Sequence, residues 1–475
     1  MEWFALNKGE TAGERDCRDT KFNDIFSGEF MKKNTKLFLS YVLPSMIGML
    51  IVGSYSIVDT IFIGWSAGEL GLASVAVTWP LVMMFGAVGD MLGTGAAIII
   101  SQSRGNGDLR RARRSFANML VWQVVFSVAM TVLVYIWLID ILRLFGASDE
   151  LIPGAVRYAR ILIVGNLAYM LVTAMLSVIR NDGHPVLSMW LMIGGLLLNV
   201  ILDYLFIFPL GGGIAGAAYA TVVSQVVIAV TGLAYFTTGY TELRFDRAMF
   251  KLKFKYLKSI LVNGFPSLGN QLSIIAMLFF HNYQSLKYGQ VNGLAAYTFV
   301  GAVESLGSLL MTGLSLGVQP LVAYLYGGRR YRRQNIIGNM GYYTAFGLGI
   351  VMTGVSVAGH NVLPGWFNLH SEAAALAAHG LIISSTAFIL LGVVRVAGYY
   401  YQATGKIIDS SLLIYGDAFV ALPLCLFTLP LWFGMDGVWL AMPVSRVLLF
   451  LFVCYLWFGK KNKPQPRRHF SGRGF

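Results

Sequence analysis

The sequence predicts an all-α integral membrane protein: twelve transmembrane helices in two six-helix bundles, related by pseudo-two-fold symmetry along the membrane normal. Three observations predict it. Apolar runs of about 20 residues, long enough to cross a hydrocarbon core of roughly 30 Å, recur along the chain. Composition agrees, with 56% hydrophobic and only 12% charged residues among 475 and a mean hydropathy of +0.65. A soluble domain carries about 25% charge, so too few polar residues remain to coat a large soluble core. Finally, the chain repeats itself at an offset of 222 residues. Leu43-Pro44-Ser45 returns as Phe265-Pro266-Ser267, Gly71-Leu72-Ala73 as Gly293-Leu294-Ala295, Gly105 as Gly327 and Gly183 as Gly405. One residue out of step, Gly213-Ile214-Ala215-Gly216 pairs with Gly434-Met435-Asp436-Gly437, and Ser224 with Ser445.

Residues 1–35 form an N-terminal tail, polar and mixed in charge. No cleavable leader is expected, because the first apolar run is too long for one. Met31-Lys32-Lys33 marks an alternative start, which would leave residues 1–30 as a disordered or appended tail. The N-terminal bundle, 36–237, is read as spans at 38–64, 72–101, 117–139, 157–179, 186–208 and 214–237. A basic linker, 238–256, follows, and its stretch through residue 258 suits either an amphipathic helix on an anionic inner leaflet or a solvated connector. The C-terminal bundle, 257–458, holds spans at 257–286, 293–326, 337–358, 378–402, 409–431 and 438–458, and residues 459–475 are a basic tail. An even number of spans per half gives both halves the same orientation, hence an axis along the membrane normal. Small-xxx-small patterns among the 53 glycines permit close helix approach. Pro44 and Pro80 fall inside spans, where they are expected to kink them.

The net charge of +13 is placed in connections rather than in a nucleic-acid surface. Thirty of the 36 Lys and Arg residues fall on one side: both tails, 104–114, Arg180, 244–258, 329–333 and Lys406. The positive-inside rule makes that side, and both termini, cytoplasmic in a multi-pass cell membrane protein. Cys17, Cys425 and Cys454 show no disulfide or metal spacing.

Ionisable residues at membrane depth cost about 2.5–3.5 kcal/mol each, so they mark candidate sites. Asp59 lies in the first span. Asp203 lies in the fifth with Asn199 one turn earlier on the same face, and Thr221 in the sixth can add a hydroxyl to that cluster. Burial disfavours the charged form of a carboxylate and two close carboxylates disfavour joint ionisation, so this group can hold a proton or a monovalent cation. A hydrogen-bonded polar knot between helices is the structural alternative. In the second half Glu304 of the eighth span is placed to meet a cationic substrate. His281, which occupies the Asp59 position under the repeat, is a second substrate candidate or a buried polar contact. Asp90, matched by Thr312, lies near a packing seam, and Arg395 and Asp417 are expected to pair across helices. Asn199 and Asp203 correspond to Ala421 and Cys425, so coupling by carboxylates would sit in the N-terminal half.

No phosphate loop, HExxH motif or nucleophile elbow is present, so neither an enzyme nor a cofactor is expected, and work would draw on an ion gradient. The segments VDTIFIG, LGLASVAVTWP, SRGNGDLRRARR, IRNDGHP and LNVILDYLFIF followed by GGGIAGAAYATVVSQ together resemble the multidrug and toxic compound extrusion (MATE) family, over about residues 36–458. The resemblance implies two bundles around a V-shaped cleft and export of lipophilic or organic cations against inward protons or sodium ions. It matches the family's first-span aspartate to Asp59, its fifth-span asparagine and aspartate to Asn199 and Asp203, and its sixth-span threonine to Thr221. One branch places a sodium site on a seventh-span acidic residue; 257–286 has no Asp or Glu, which leaves Glu304 as the carboxylate of that wall. Methionine and aromatic side chains would line the cleft, soft and cation-tolerant surfaces respectively. Expected partners are small drugs and membrane lipids, with no nucleic acid, and the protein would act as a monomer. A flippase for lipid-linked saccharides, which shares this kind of fold, is the alternative and would prefer a basic cleft; a membrane-embedded transferase lacks a catalytic constellation.

Overall fold

The computed structural model describes residues 28–244, 252–367 and 371–459, and these are almost entirely helical, with no strand among them. Helix α1 (Gly28–Gly105) carries the first two spans. Its backbone leaves helical geometry at Gly68 (φ 60, ψ −157), a conformation open essentially to glycine. There the chain doubles back: Tyr41 and Val42 share a core cluster with Ile98, whereas a straight helix would hold Val42 and Ile98 roughly 80 Å apart. The chain reversal is thus at a glycine, while Pro44 and Pro80 lie inside helix on either side of it. Helix α2 (Leu109–Ile136), capped by Asp108 accepting from the Arg111 amide, and short α3 (Leu138–Leu144) form the third span. Helices α4 (Ile152–Asn181), α5 (Pro185–Ile207) and α6 (Gly213–Tyr235) complete the first half.

Helix α7 (Phe254–Gly327) repeats the α1 device, with its break at Gln290 (φ 51, ψ −149). Across that break His281 stacks on Tyr297 with ring centroids 4.9 Å apart. Helix α8 (Tyr331–Gly359) is the ninth span. The tenth is bent, α9 (Ser371–Ser385) meeting α10 (Phe388–Ala403) at 48°. The eleventh runs Ile407–Phe433 as α11 (Ile407–Gly416), a π-turn at Asp417–Ala421, α12 (Leu422–Thr428) and α13 (Pro430–Phe433); α14 (Met435–Gly459) is the twelfth. Among the described residues nine helices are long and apolar enough to cross a membrane and the bent pair makes a tenth. Because α1 and α7 each supply two crossings, the total is the expected twelve. In the linker, 238–244 are turn and coil and Lys253 is extended before α7, so the ends are not helical; 245–251 lie outside the described residues.

The repeated glycines have physical reasons. Gly183 and Gly405 take positive φ (102 and 73) just beyond helices α4 and α10, and His184 and Lys406 there bond back to Ile179 and Tyr401. Gly213 and Gly434 take positive φ (53 and 56) at the starts of the last span of each half. A second set closes a seam between the halves. A Cβ on Gly95 would lie 2.1 Å from the Ile260 carbonyl oxygen, and one on its repeat partner Gly317 would lie 2.6 Å from the Val42 Cα. A Cβ on Gly105 would meet the Tyr324 oxygen at 2.0 Å, and one on Gly327 the Gln102 oxygen at 2.0 Å. Gly264 approaches the Met91 carbonyl, and Gly313 the Met46 Cα, in the same way. Ser101 donates to the Pro320 carbonyl and Gln102 to that of Ala403. Backbone therefore packs on backbone, symmetrically, at the membrane face that carries the basic connections.

The cores follow the same plan. Leu257 and Ile260 join a cluster built from the first half, and Leu37, Phe38, Tyr41 and Val42 join one built from the second. The remaining clusters each lie within one half.

Candidate functional site

Asp59 and Asp203 come together although 144 positions separate them. The fold-back at Gly68 brings the first span against the fifth, and the charge of Asp59 acts on Asp203. Asp59 is 6% exposed, Asn199 1%, Asp203 0% and Thr221 7%. Neighbouring Ile63 belongs to a core cluster with Tyr158, Leu162 and Ile207, which packs this region with apolar surface. Asp59 Oδ1, both Asp203 oxygens and both amide atoms of Asn199 are buried with no hydrogen-bond partner. Buried polar atoms are ordinarily bonded, and a group of orphans on one site calls for a proton, a cation or water to complete it. The donors this group offers are two carboxylates and an amide, which suit a proton or a hard monovalent cation. No cluster of three or more His, Cys, Asp or Glu side chains that could hold a metal exists among the described residues.

The second half is organised differently. Glu304, half-buried on the returning limb of α7, lies within electrostatic reach of Arg446 and of Tyr297. His281 is 2% exposed; its Nδ1 meets the Met277 carbonyl oxygen at 2.9 Å and its ring stacks on Tyr297. Those contacts give His281 a satisfied structural setting on one ring nitrogen and place it in the same cluster as Glu304. Arg395 and Asp417 do not form the expected bond. Asp417 pairs with Arg446, which is 1% exposed, while Arg395 donates through Nη1 to the Ser308 carbonyl, the Ser308 hydroxyl and the Thr312 hydroxyl. The π-turn that begins at Asp417 inserts one extra residue into the helix and presents that carboxylate to α14. Asp90 accepts from Thr94 at 2.8 Å and feels the charge of Arg180, as fits a place in a packing seam.

Another cluster was invisible to the span-based reading. Arg104, at the end of α1, is bonded to Asp182; Tyr235 donates to the second Asp182 oxygen at 2.7 Å and meets His184 Nδ1 at 2.7 Å. Burial lowers the His184 pKa, against the opposing pull of the Asp182 carboxylate. Arg104 lies in the last turn of α1 and Asp182 in the turn after α4, at span ends where charges ordinarily contact water, so sequence position gave no sign of their burial.

Comparison with known proteins fits this architecture. The MatE family model matches residues 44–205 and again 266–427, two matches whose starts and ends differ by the 222-residue repeat. The chain belongs to the MatE family, that is, the MATE transporters. Among its relatives are the multidrug export proteins MepA of Staphylococcus haemolyticus, 26% identical over 428 residues (88% of this chain and 93% of the relative), and of Staphylococcus saprophyticus, 24% identical over 408 residues (85% and 89%). Among solved structures, an outward-facing multidrug resistance MATE family transporter superposes with a TM-score of 0.84 at 24% identity, covering 89% of this chain and 95% of that one. A MOP superfamily transporter from Pyrococcus furiosus, described as having a binding pocket of reverse polarity, gives the same TM-score, identity and coverage.

Proposed function

We propose that this protein is a secondary active multidrug exporter that moves lipophilic or cationic compounds by antiport against protons or sodium ions. The observation that carries the reading is the orphaned acid pair: Asp59 and Asp203 are buried together, with oxygens that no donor satisfies and no Arg or Lys bonded to them. Uptake of a proton or cation there removes the charge repulsion and completes the site, which shifts the equilibrium between two arrangements of the N-terminal half. Asn199 and Thr221 complete the ion shell. Glu304 and His281 face the substrate in the opposite half, Glu304 by charge.

The glycine seam supports alternating access. It closes the side with the basic connections, read as cytoplasmic by the positive-inside rule. In the proposed cycle this closed-seam arrangement would be the outward-facing one, from which substrate leaves. Ion binding at Asp59 and Asp203 would let the seam part, and the cleft would then open inward to take the next compound. The names of the MepA relatives support multidrug export as the task. The flippase alternative needs a cleft that meets a pyrophosphate with several free basic groups, and Arg446 is already engaged by Asp417.

Reconstituted protein distinguishes these readings. An outward-driving proton or sodium gradient should concentrate ethidium across the vesicle membrane. Absence of gradient-driven ethidium movement, together with translocation of a lipid-linked saccharide, would replace this reading with the flippase.

A further inference from the structure

We infer that the C-terminal half contains an anion subsite, centred on Arg395, that takes the carboxylate of an amphipathic compound; the inference rests on the exporter reading and names a second class of substrate for it. Two buried arginines elsewhere are bonded to a carboxylate, and a third is within electrostatic reach of one. Arg104 has Asp182, Arg180 feels Asp90, and Arg446 has Asp417 with Glu304 in reach. Arg395 feels the charge of Asp417, which is already bonded to Arg446. Among the described residues its own hydrogen bonds go to the Ser308 carbonyl and hydroxyl and the Thr312 hydroxyl, all through Nη1, with no carboxylate bonded to it. It borders a narrow cavity, about 30 Å³, shared with Arg446, Asp417, Asn270 and Tyr399. Two cations and one anion line this space. The Arg446 Nε, on a side chain 1% exposed, is buried there with no hydrogen-bond partner.

A guanidinium at membrane depth is retained when it meets a counter-ion or serves a pathway. The planar fork of Arg395 keeps donors beyond Nη1, and a carboxylate is the anion whose two oxygens match such a fork. Asn270, whose side-chain amide already bonds the Tyr399 hydroxyl at 3.2 Å, adds polarity beside it. Met277 and Leu391, also on the wall, offer surface to an apolar substituent. Tyr399 lies within electrostatic reach of Asp90 and Arg180 of the other half, so the cavity borders the interface along which a compound would pass. Glu304 and His281, which do not line the cavity, are the other titratable groups near Arg446, and in this division Glu304 meets cations while Arg395 meets anions. A zwitterion would satisfy both.

The test uses the full-length purified protein with benzoate, neutral benzamide, chloride and ethidium as probes, read by quenching of intrinsic tryptophan fluorescence. Benzoate should bind better than benzamide. Arg395→Gln should weaken benzoate about tenfold while leaving benzamide and ethidium unchanged, and Arg395→Lys should recover part of the loss. Equal binding of benzoate and benzamide would overturn the inference, as would benzoate binding untouched by Arg395→Gln in a protein that still binds ethidium. Competition by chloride at equal concentration would replace the organic carboxylate with a small inorganic anion and equally overturn it. Failure of the wild type to transport ethidium under any gradient, with benzoate binding intact, would instead sink the exporter reading.

Discussion

Asp417 and Arg446 hold each other in apolar surroundings, so removing one partner strands the other. Arg446→Ala should therefore destabilise the protein by roughly 3 kcal/mol, the cost of an unpaired buried charge. A double variant in which Leu replaces both Asp417 and Arg446 should recover most of that loss. Thermal unfolding in detergent measures both; an Arg446→Ala protein as stable as wild type would contradict the pairing. Residues of this kind show how far the sequence could be read. Asp59, Asn199 and Asp203 stood out because a carboxylate inside an apolar run has few structural excuses, and Asn199 and Asp203 share a face by simple helical spacing. The partner of Asp417 was not legible. Arg395 and Arg446 both lay within spans, and the choice between them depends on the π-turn at Asp417–Ala421, a one-residue register change that no periodicity announces. Arg104 with Asp182 escaped for a related reason: charge at the end of a span reads as solvated until the tertiary fold covers it.

Helical elements were legible to within a few residues at most ends, because span length is set by the membrane and not by side-chain detail. What bends them was less so. Prolines are the usual cause of a break, yet the chain reverses at Gly68 and Gln290, where the connection is so short that helix runs nearly continuously through it. Gly183 ends α4 at φ 102, so Gly183→Ala should cost about 1 kcal/mol and lower the unfolding midpoint, with transport retained by the protein that folds. No change in midpoint would show that the turn relaxes. The seam offers a stronger test at this scale. Gly264→Val adds carbon where a Cβ would lie 1.8 Å from the Met91 carbonyl oxygen, so the halves cannot close as they do here. A cysteine at Ser101, buried against Pro320, should then react with a membrane-impermeant maleimide added from the basic side at least tenfold faster than in the Gly264 parent. Equal reactivity would mean that the seam tolerates the side chain and is not a gate.

As a whole molecule, the chain doubles its scaffold without doubling its chemistry. Caps, fold-backs and seam glycines recur in both halves, and each half lends its first helix to the other's core. The orphaned acid pair belongs to the first half alone. The second half has Arg395, Arg446, Asp417 and Glu304 where the first has Asp59, Asn199 and Asp203. Symmetry would let the halves rock about the seam, and its absence at the polar sites would assign ion and substrate to different halves. That division of labour is the central proposal. Ethidium accumulation in proteoliposomes under an imposed proton or sodium gradient tests it most directly, with wild type and Asp59→Asn compared at equal reconstitution. Asp59→Asn should insert and bind ethidium as wild type does, yet lose gradient-driven accumulation by more than about tenfold. Accumulation by Asp59→Asn at the wild-type rate would contradict the assignment of coupling to the N-terminal half.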